Sequence, residues 1–198
     1  MGNRRLSRKR LYQVEKAGQA VALESGVGIK DAIVSATQHR NGQEIITEIA
    51  VDFGTSKASI LGGGAVAAPL GTSAAAAHIT QLTKAKYGII TEIRAVLIEV
   101  PTSDGTAVTD LDIHFAATGG VQGTALSSTP GSSTEIIADL TAVGEDTSKA
   151  YDDYSTLGQD GTAKFLYVIN GTGMSSSDAQ TGGKLLIYIH GFAEPADL

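Results

Sequence analysis

Cysteine and tryptophan are both absent from this chain of 198 residues, and only four prolines are present. Without cysteine the chain has no disulfide scaffold, thiolate zinc site or thiol nucleophile, and synthesis in a reducing cytoplasm is expected. No run approaches the roughly 18 consecutive apolar residues that a membrane span requires, and no apolar stretch typical of a secretory leader follows the first residues. We therefore expect a soluble protein without a membrane partner, long enough to bury the core of one domain.

Basic residues are scarce except at the N-terminus. Residues 1–16 contain six basic residues and one acidic residue, a net charge of +5, whereas the remaining residues contain nine basic and 20 acidic residues, a net charge of −11. Clustered like charges repel each other and are costly to bury, so this split predicts an interaction arm attached to an acidic body. The residues expected to bind a partner are Arg4, Arg5, Leu6, Arg8, Lys9, Arg10, Leu11 and Tyr12.

Residues 1–42 are expected to hold this arm and a short helix, ahead of the body. The arm itself is predicted to be extended or partly helical. The apolar residues between Ile29 and Ala36 fit a short helix, and Asn41 followed by Gly42 is a strong turn signal. The domain boundary is therefore placed after residue 42.

Residues 43–198 show the pattern of a β protein, with short β-branched or alternating segments separated by Gly, Ser and Asp clusters. The predicted strands are 43–53, 59–61, 87–100, 110–116, 135–140, 164–170 and 184–192. Pro101 is expected to end the third of these strands. This organisation predicts a mainly β fold, an antiparallel β-sandwich or jelly roll, with little helix.

One pentapeptide, Ile-Ile-Thr-Glu-Ile, occurs at residues 45–49 and again at residues 89–93. Two strands in equivalent places of a sandwich would explain this repeat. Chance recurrence of β-prone residues explains it equally well, so both interpretations stay open.

Motifs that carry chemistry are weak. Asp110, Asp112 and His114 share one face of a predicted strand, a spacing compatible with a zinc or hard-cation site, but solvent-facing polar positions explain it without a metal. The stretch from Asp52 to Ser56 resembles the first phosphate loop of the actin, sugar-kinase and heat-shock ATPase superfamily, although the chain is too short for the two lobes of those folds. We therefore expect no catalytic, cofactor-binding or metal-binding residues.

Several blocks of sequence stand in a recognisable order. They are Arg-Arg-Leu and Lys-Arg-Leu within residues 4–11, Asp-Leu-Asp-Ile at 110–113, Phe-Leu-Tyr-Val-Ile-Asn-Gly at 165–171, and Gly-Gly-Lys-Leu-Leu-Ile-Tyr-Ile-His-Gly at 182–191. Their order resembles that of small virion structural proteins of short-tailed marine bacteriophages. The closing Tyr-x-x-Gly departs from the Tyr-Gly typical of the last strand in that family.

The resemblance implies a non-enzymatic capsid decoration, or cement, protein: a β-sandwich located in the virion and made in the host cytoplasm. Its expected partners are the major capsid protein or other virion proteins, and further copies of itself, with a trimer as the expected homo-oligomer. A tail or head–tail connector component is an alternative that the sequence does not separate. A nucleic-acid-binding module that uses the basic arm is a second alternative, and the acidic body argues against it.

Overall fold

A computed structural model describes residues 18–29, 34–53, 60–61, 69–71, 75–103, 106–107, 111–117, 120, 134–138, 140, 147–152, 164–170 and 179–193. Strands make up 70% and helix 4% of these residues, so the expected mainly β class is confirmed. Their elements are, in chain order, β1 Gln19–Ala20, β2 Val34–Asn41, β3 Glu44–Asp52, β4 Ile60–Leu61, β5 Thr80–Leu82, α1 Lys84–Tyr87, β6 Ile89–Ser103, β7 Thr106–Ala107, β8 Leu111–Ala116, β9 Thr134–Ile137, β10 Thr147–Tyr151, β11 Lys164–Asn170 and β12 Ala179–Phe192. None of the helix in the described ranges is long and apolar enough to cross a bilayer.

The strands form two antiparallel sheets. The large sheet has the order β1-β2-β3-β12-β6-β10, with β4 paired to β12 and β7 paired to β6, and the small sheet has the order β5-β11-β8-β9. Strand β12 lies at the centre of the large sheet because it pairs with β3 on one side and with β6 on the other. Its side chains alternate, with Leu185, Ile187 and Ile189 fully buried.

Both sheets contribute to one apolar core. Ile49, Leu97 and Ile187 of the large sheet belong to the same buried cluster as Ile113 and Val168 of the small sheet. Each fully buried side chain of this kind stabilises the fold by about 1.5–3 kcal/mol relative to leaving it in water. The two sheets are therefore held together by apolar contacts, most of them aliphatic, in a chain without cysteine or tryptophan.

Residues 34–41 form strand β2, which begins inside the segment from Ile29 to Ala36 where the sequence predicted a short helix; residues 30–33 of that segment lie outside the described residues. The turn at Asn41 and Gly42, with Gly42 at φ 63°, joins β2 directly to β3 in a hairpin. Val34 and Ala36 are buried and Ser35 is exposed, which is strand alternation in a segment too short to distinguish from a helix. The large sheet thus begins upstream of the boundary expected after residue 42.

Strand β6 is longer than predicted and begins later. Residues Lys84–Tyr87 form a helical turn rather than the start of the strand, and Pro101 lies inside β6 instead of ending it. The pairing with β12 shifts register at this point, which accommodates a residue that has no N–H for the ladder. Gly183 faces Pro101 with φ 117°, and a Cβ there would lie 2.5 Å from the Pro101 Cα.

The repeated pentapeptide falls on the two strands that flank β12. Ile187 pairs with Ile49 of β3 and with Ala95 of β6, and Ile189 pairs with Thr47 and Ile93. Both copies therefore run antiparallel to the same central strand. Their burial differs, however, because Ile45 is buried in the first copy whereas the equivalent Ile89 is exposed in the second. The shared neighbouring strand therefore does not explain the repeat by itself.

Candidate functional site

The segment that would connect the arm to the body is hydrogen-bonded to both sheets; we call residues 21–29 the strap. The Val21 N–H donates to the Ala36 carbonyl of β2 at 3.1 Å, and the Gly26 N–H donates to the carbonyl of His78, next to β5, at 2.9 Å. The strap therefore runs from the edge of the large sheet to the edge of the small sheet.

Buried side chains fix the strap further. Thr80 donates from its hydroxyl to the Leu23 carbonyl at 2.8 Å, so the Tyr87 hydroxyl, 2.7 Å away, donates to Thr80 Oγ1. Ser25 donates to the Ile79 carbonyl at 2.6 Å. Thr80 and Tyr87 are fully buried, and burial raises the pKa of Tyr87 to about 12. This chain of hydroxyls links the strap, β5 and the helical turn α1.

A bend at Glu24 lies where the strap passes the edge of the small sheet. Glu24 has φ 55°, in the left-handed region that costs a residue with a side chain about 1 kcal/mol or more. Nε2 of His78 lies 3.1 Å from the Glu24 carbonyl oxygen, within hydrogen-bond distance, and the ring centroid lies 4.7 Å from that of Phe165, with the two planes tilted by 58°. Burial lowers the pKa of His78, and the contact with the Glu24 carbonyl partly opposes this. The Lys86 ammonium donates to the Ala22 carbonyl beside the bend. These contacts hold the strap in one path.

The residues predicted to bind a partner lie outside the described residues: Arg4, Arg5, Leu6, Arg8, Lys9, Arg10, Leu11 and Tyr12. Strand β1 pairs with β2 through Gln19 with Gln38 and Ala20 with Thr37, at the outer edge of the large sheet. In the chain, residues 1–16 are therefore followed by an edge strand and then by the strap.

A second candidate site lies on the small sheet, at positions the sequence assigned to solvent. All six residues of β8 are buried, and Asp112 and His114 are each only 7% exposed. The solvent-facing interpretation of these two residues is therefore wrong. The face of the small sheet that points away from the core carries its own buried apolar cluster, which includes Tyr167 and Ile169. In the ladder with β11, Tyr167 pairs with His114 and Ile169 pairs with Asp112.

Glu135 of β9 joins Asp112 and His114. One carboxylate or imidazole atom from each of the three residues lies within 4.8 Å of the other two. The closest charged contact is between His114 Nε2 and Glu135 Oε2, at 3.7 Å. Burial lowers the pKa of His114 to about 4, which keeps the imidazole neutral at pH 7. Asp110, the third member of the predicted group, lies outside the described residues.

Sequence reasoning missed Glu135 as a neighbour of His114. The pairing runs from Ile113 with Ile137 to His114 with Glu135, so Ile136 is an extra residue in β9. Such a β-bulge shifts the alternation by one position and is not visible in a period-two pattern. No signal in the sequence alone locates it.

An open groove of about 450 Å³ lies on the outer face of the large sheet. Its lining includes Ala50, Ile98 and Leu186, with Asp52 and Lys184 at the polar part. Lys184 forms an exposed ion pair with Glu99 at 2.6 Å, a contact of the kind that contributes little to stability. The groove is thus partly apolar and open to solvent.

Comparison with known proteins adds no relative. No protein-family model, curated protein or solved structure matches the chain.

Proposed function

We propose that the protein is a non-enzymatic bacteriophage virion structural protein, a capsid decoration or cement protein that grips the capsid shell with its basic N-terminal arm. The proposal is supported by the charge split of the sequence, +5 over residues 1–16 and −11 over the rest, and by the edge strand and the strap, bonded to both sheets, that follow residues 1–16. The resemblance in the order of the sequence blocks to small virion structural proteins of short-tailed marine bacteriophages supports the same function.

A decoration protein needs a body that keeps its shape and a segment that reaches neighbouring subunits. An arm spreads contact area along its length, and the ordering entropy lost on binding limits the affinity of each single arm. Several arms acting together, as in a trimer, raise the overall affinity without stronger individual contacts. The strap supports this arrangement because the Thr80 and Ser25 hydrogen bonds join the base of the arm to buried backbone.

The body of this proposal is a β-sandwich. Two antiparallel sheets that share one apolar cluster are the defining feature of that architecture. The jelly roll is a form of sandwich that is frequent in viral proteins, and we propose that this strand arrangement is a variant of it. Closed cyclic symmetry, with carboxylates of the capsid or of a neighbouring copy facing Arg4, Arg5, Arg8, Lys9 and Arg10, completes the proposal.

Copy number in purified particles tests this function. Quantitative mass spectrometry should find the protein in filled heads at a copy number that scales with the major capsid protein. If the protein is instead recovered with the tails after heads and tails are separated, and its copy number per particle matches one ring of subunits, it is a tail or connector component. Absence from purified particles would refute any virion function.

The nucleic-acid alternative is tested separately by titration with duplex DNA. Binding through the arm would weaken steeply as salt increases, because each phosphate contact releases counterions. The proposal predicts only weak binding at low salt, because the body carries a net charge of −11.

A further inference from the structure

The bulge in β9 determines which way Glu135 faces. In an unbroken antiparallel ladder, the pair Ile113 with Ile137 would be followed by His114 with Ile136, and Glu135 would lie opposite Phe115. Directly opposed residues project to the same face of a sheet, and Phe115 belongs to the apolar core. The extra residue instead places Glu135 opposite His114, on the face away from the core.

The same face holds Asp112, two residues before His114 on β8. Side chains two apart on a strand project to the same side, so the carboxylate and the imidazole lie next to each other. Both residues are more than nine-tenths buried, with Tyr167 and Ile169 on the neighbouring strand. The two residues therefore offer two ligand atoms, on buried side chains, within 4.8 Å of each other and of a Glu135 carboxylate oxygen.

The distances within this cluster suit a shared cation. His114 Nε2 and Glu135 Oε2 are 3.7 Å apart, which is too long for a hydrogen bond. Two ligands of a tetrahedral zinc ion at about 2.1 Å from the metal lie about 3.4 Å apart. Glu135 has a side chain that is 52% exposed, so it has room to rotate and close the remaining gap.

We propose that Asp112, His114 and Glu135 bind one divalent transition-metal cation of the zinc class, with water completing its coordination. An imidazole ligand favours zinc and its neighbours over magnesium or calcium, which prefer oxygen alone. The site joins β8 to the edge strand β9, and it would stabilise the edge of the small sheet. This inference concerns the body and does not depend on the function proposed for the arm.

Calorimetric titration of the full-length protein with Zn²⁺ tests the site, after treatment with chelator and its removal. The expected result is one saturable site per chain, together with a higher melting temperature, because a ligand that binds only the folded state stabilises it. Titration with Co²⁺ should give the visible absorption of a low-symmetry, four- or five-coordinate ion. Mg²⁺ at the same concentration should produce neither effect.

Three variants identify the ligands. Glu135→Gln changes an exposed side chain and should leave the fold intact while weakening Zn²⁺ binding at least about 10-fold. Asp112→Asn and His114→Gln should abolish the site, with circular dichroism used to confirm folding.

The matched control is Glu92→Gln. Glu92 lies opposite His190 on the large sheet, as Glu135 lies opposite His114, but the residue two before His190 is Tyr188 rather than an acid. This control should bind Zn²⁺ like the unchanged protein. The proposal is overturned if no one-to-one site is found, if Glu135→Gln binds as tightly as the unchanged protein, or if Glu92→Gln lowers the affinity to the same extent.

Discussion

At the scale of single residues, a few buried polar side chains connect elements that the apolar pattern leaves separate. Thr80 accepts from Tyr87 and donates to the Leu23 carbonyl, so its one hydroxyl joins three segments. Buried polar groups must keep such partners because leaving one unsatisfied costs about 1–3 kcal/mol. The sequence predicted Tyr87 as the first residue of a strand and placed Thr80 in no element, because nothing in their spacing reveals partners more distant along the chain.

Tyr87→Phe should lower the free energy of unfolding by about 1 kcal/mol at neutral pH, because one buried hydrogen bond to Thr80 is lost. The substitution should also make the free energy of unfolding less dependent on pH in the alkaline range. The pKa of Tyr87 is about 12 in the folded protein against an ordinary value of 10, so between pH 10 and 12 the unfolded chain loses its proton first. Stability that is present below pH 10 is therefore lost as the pH rises towards 12.

Urea unfolding at a series of pH values measures this effect. The curve for Tyr87→Phe should be flatter above pH 10 than that of the unchanged protein. Tyr188→Phe is the control, because Tyr188 lies on the partly exposed face of the large sheet and should change the alkaline slope less. If the free energy of unfolding falls equally steeply above pH 10 in the unchanged protein and in Tyr87→Phe, the raised pKa of a buried Tyr87 hydroxyl is contradicted.

At the scale of elements, the strap is the segment that links the edges of the two sheets. It is short and lies against β2 and the residues before β5, and its backbone passes very close to theirs. A Cβ at Gly26 would lie 2.2 Å from the Ala76 carbonyl oxygen, so no larger residue fits without separating the two backbones.

Gly26→Ala should therefore loosen the strap, at a cost of about 1–3 kcal/mol. Hydrogen exchange should show faster exchange of the Gly26 and Gly28 amides, which donate to the facing backbone. Gly42→Asn provides a control, since Gly42 also has a special conformation but its added Cβ meets no atom within 4 Å and Asn tolerates a left-handed turn. If the Gly26 and Gly28 amides exchange no faster in Gly26→Ala than in the unchanged protein, the tight contact between Gly26 and Ala76 is refuted.

Strands with clear alternation or strong β-branched runs were predictable, and those defined by their partners were not. The sequence predicted β11 with the same bounds, Lys164–Asn170, because an apolar run bounded by turn residues fits a buried strand. It missed β2 because the apolar residues at positions 29, 32, 33 and 36 suit a helix equally well, and pairing with β3 decides the outcome. It missed the proximity of Glu135 to His114 because a single inserted residue in β9 reverses which face each side chain takes.

At the scale of the whole molecule, charge and folding are divided between different parts of the chain. Residues 1–16 contain six of the 15 basic residues, whereas the apolar core cluster begins with Leu23 in the strap. Stability and binding should therefore respond to different truncations.

Removing residues 1–16 should change the free energy of unfolding by no more than about 0.5 kcal/mol, because the strap and both sheets remain. Removing residues 1–29 should cost several times more, since Leu23 and Ile29 are both buried and each contributes about 1.5–3 kcal/mol. Denaturant unfolding of the two truncated proteins measures the difference. If both truncated proteins lose the same free energy of unfolding, the conclusion that folding depends on the strap and not on residues 1–16 is contradicted.

The most direct test of the arm as the capsid-binding element is occupancy on purified particles that lack the protein, measured after adding it back. Arg4, Arg5 and Arg8 changed together to Gln should lower occupancy at least about 10-fold at physiological salt, because charge pairs guide and hold the contact. Lys84, Arg94 and Lys184, three exposed basic residues of the body, changed together to Gln give the same loss of charge and should leave occupancy near that of the unchanged protein. Full occupancy by the arm variant, or equal losses in both variants, would contradict the account.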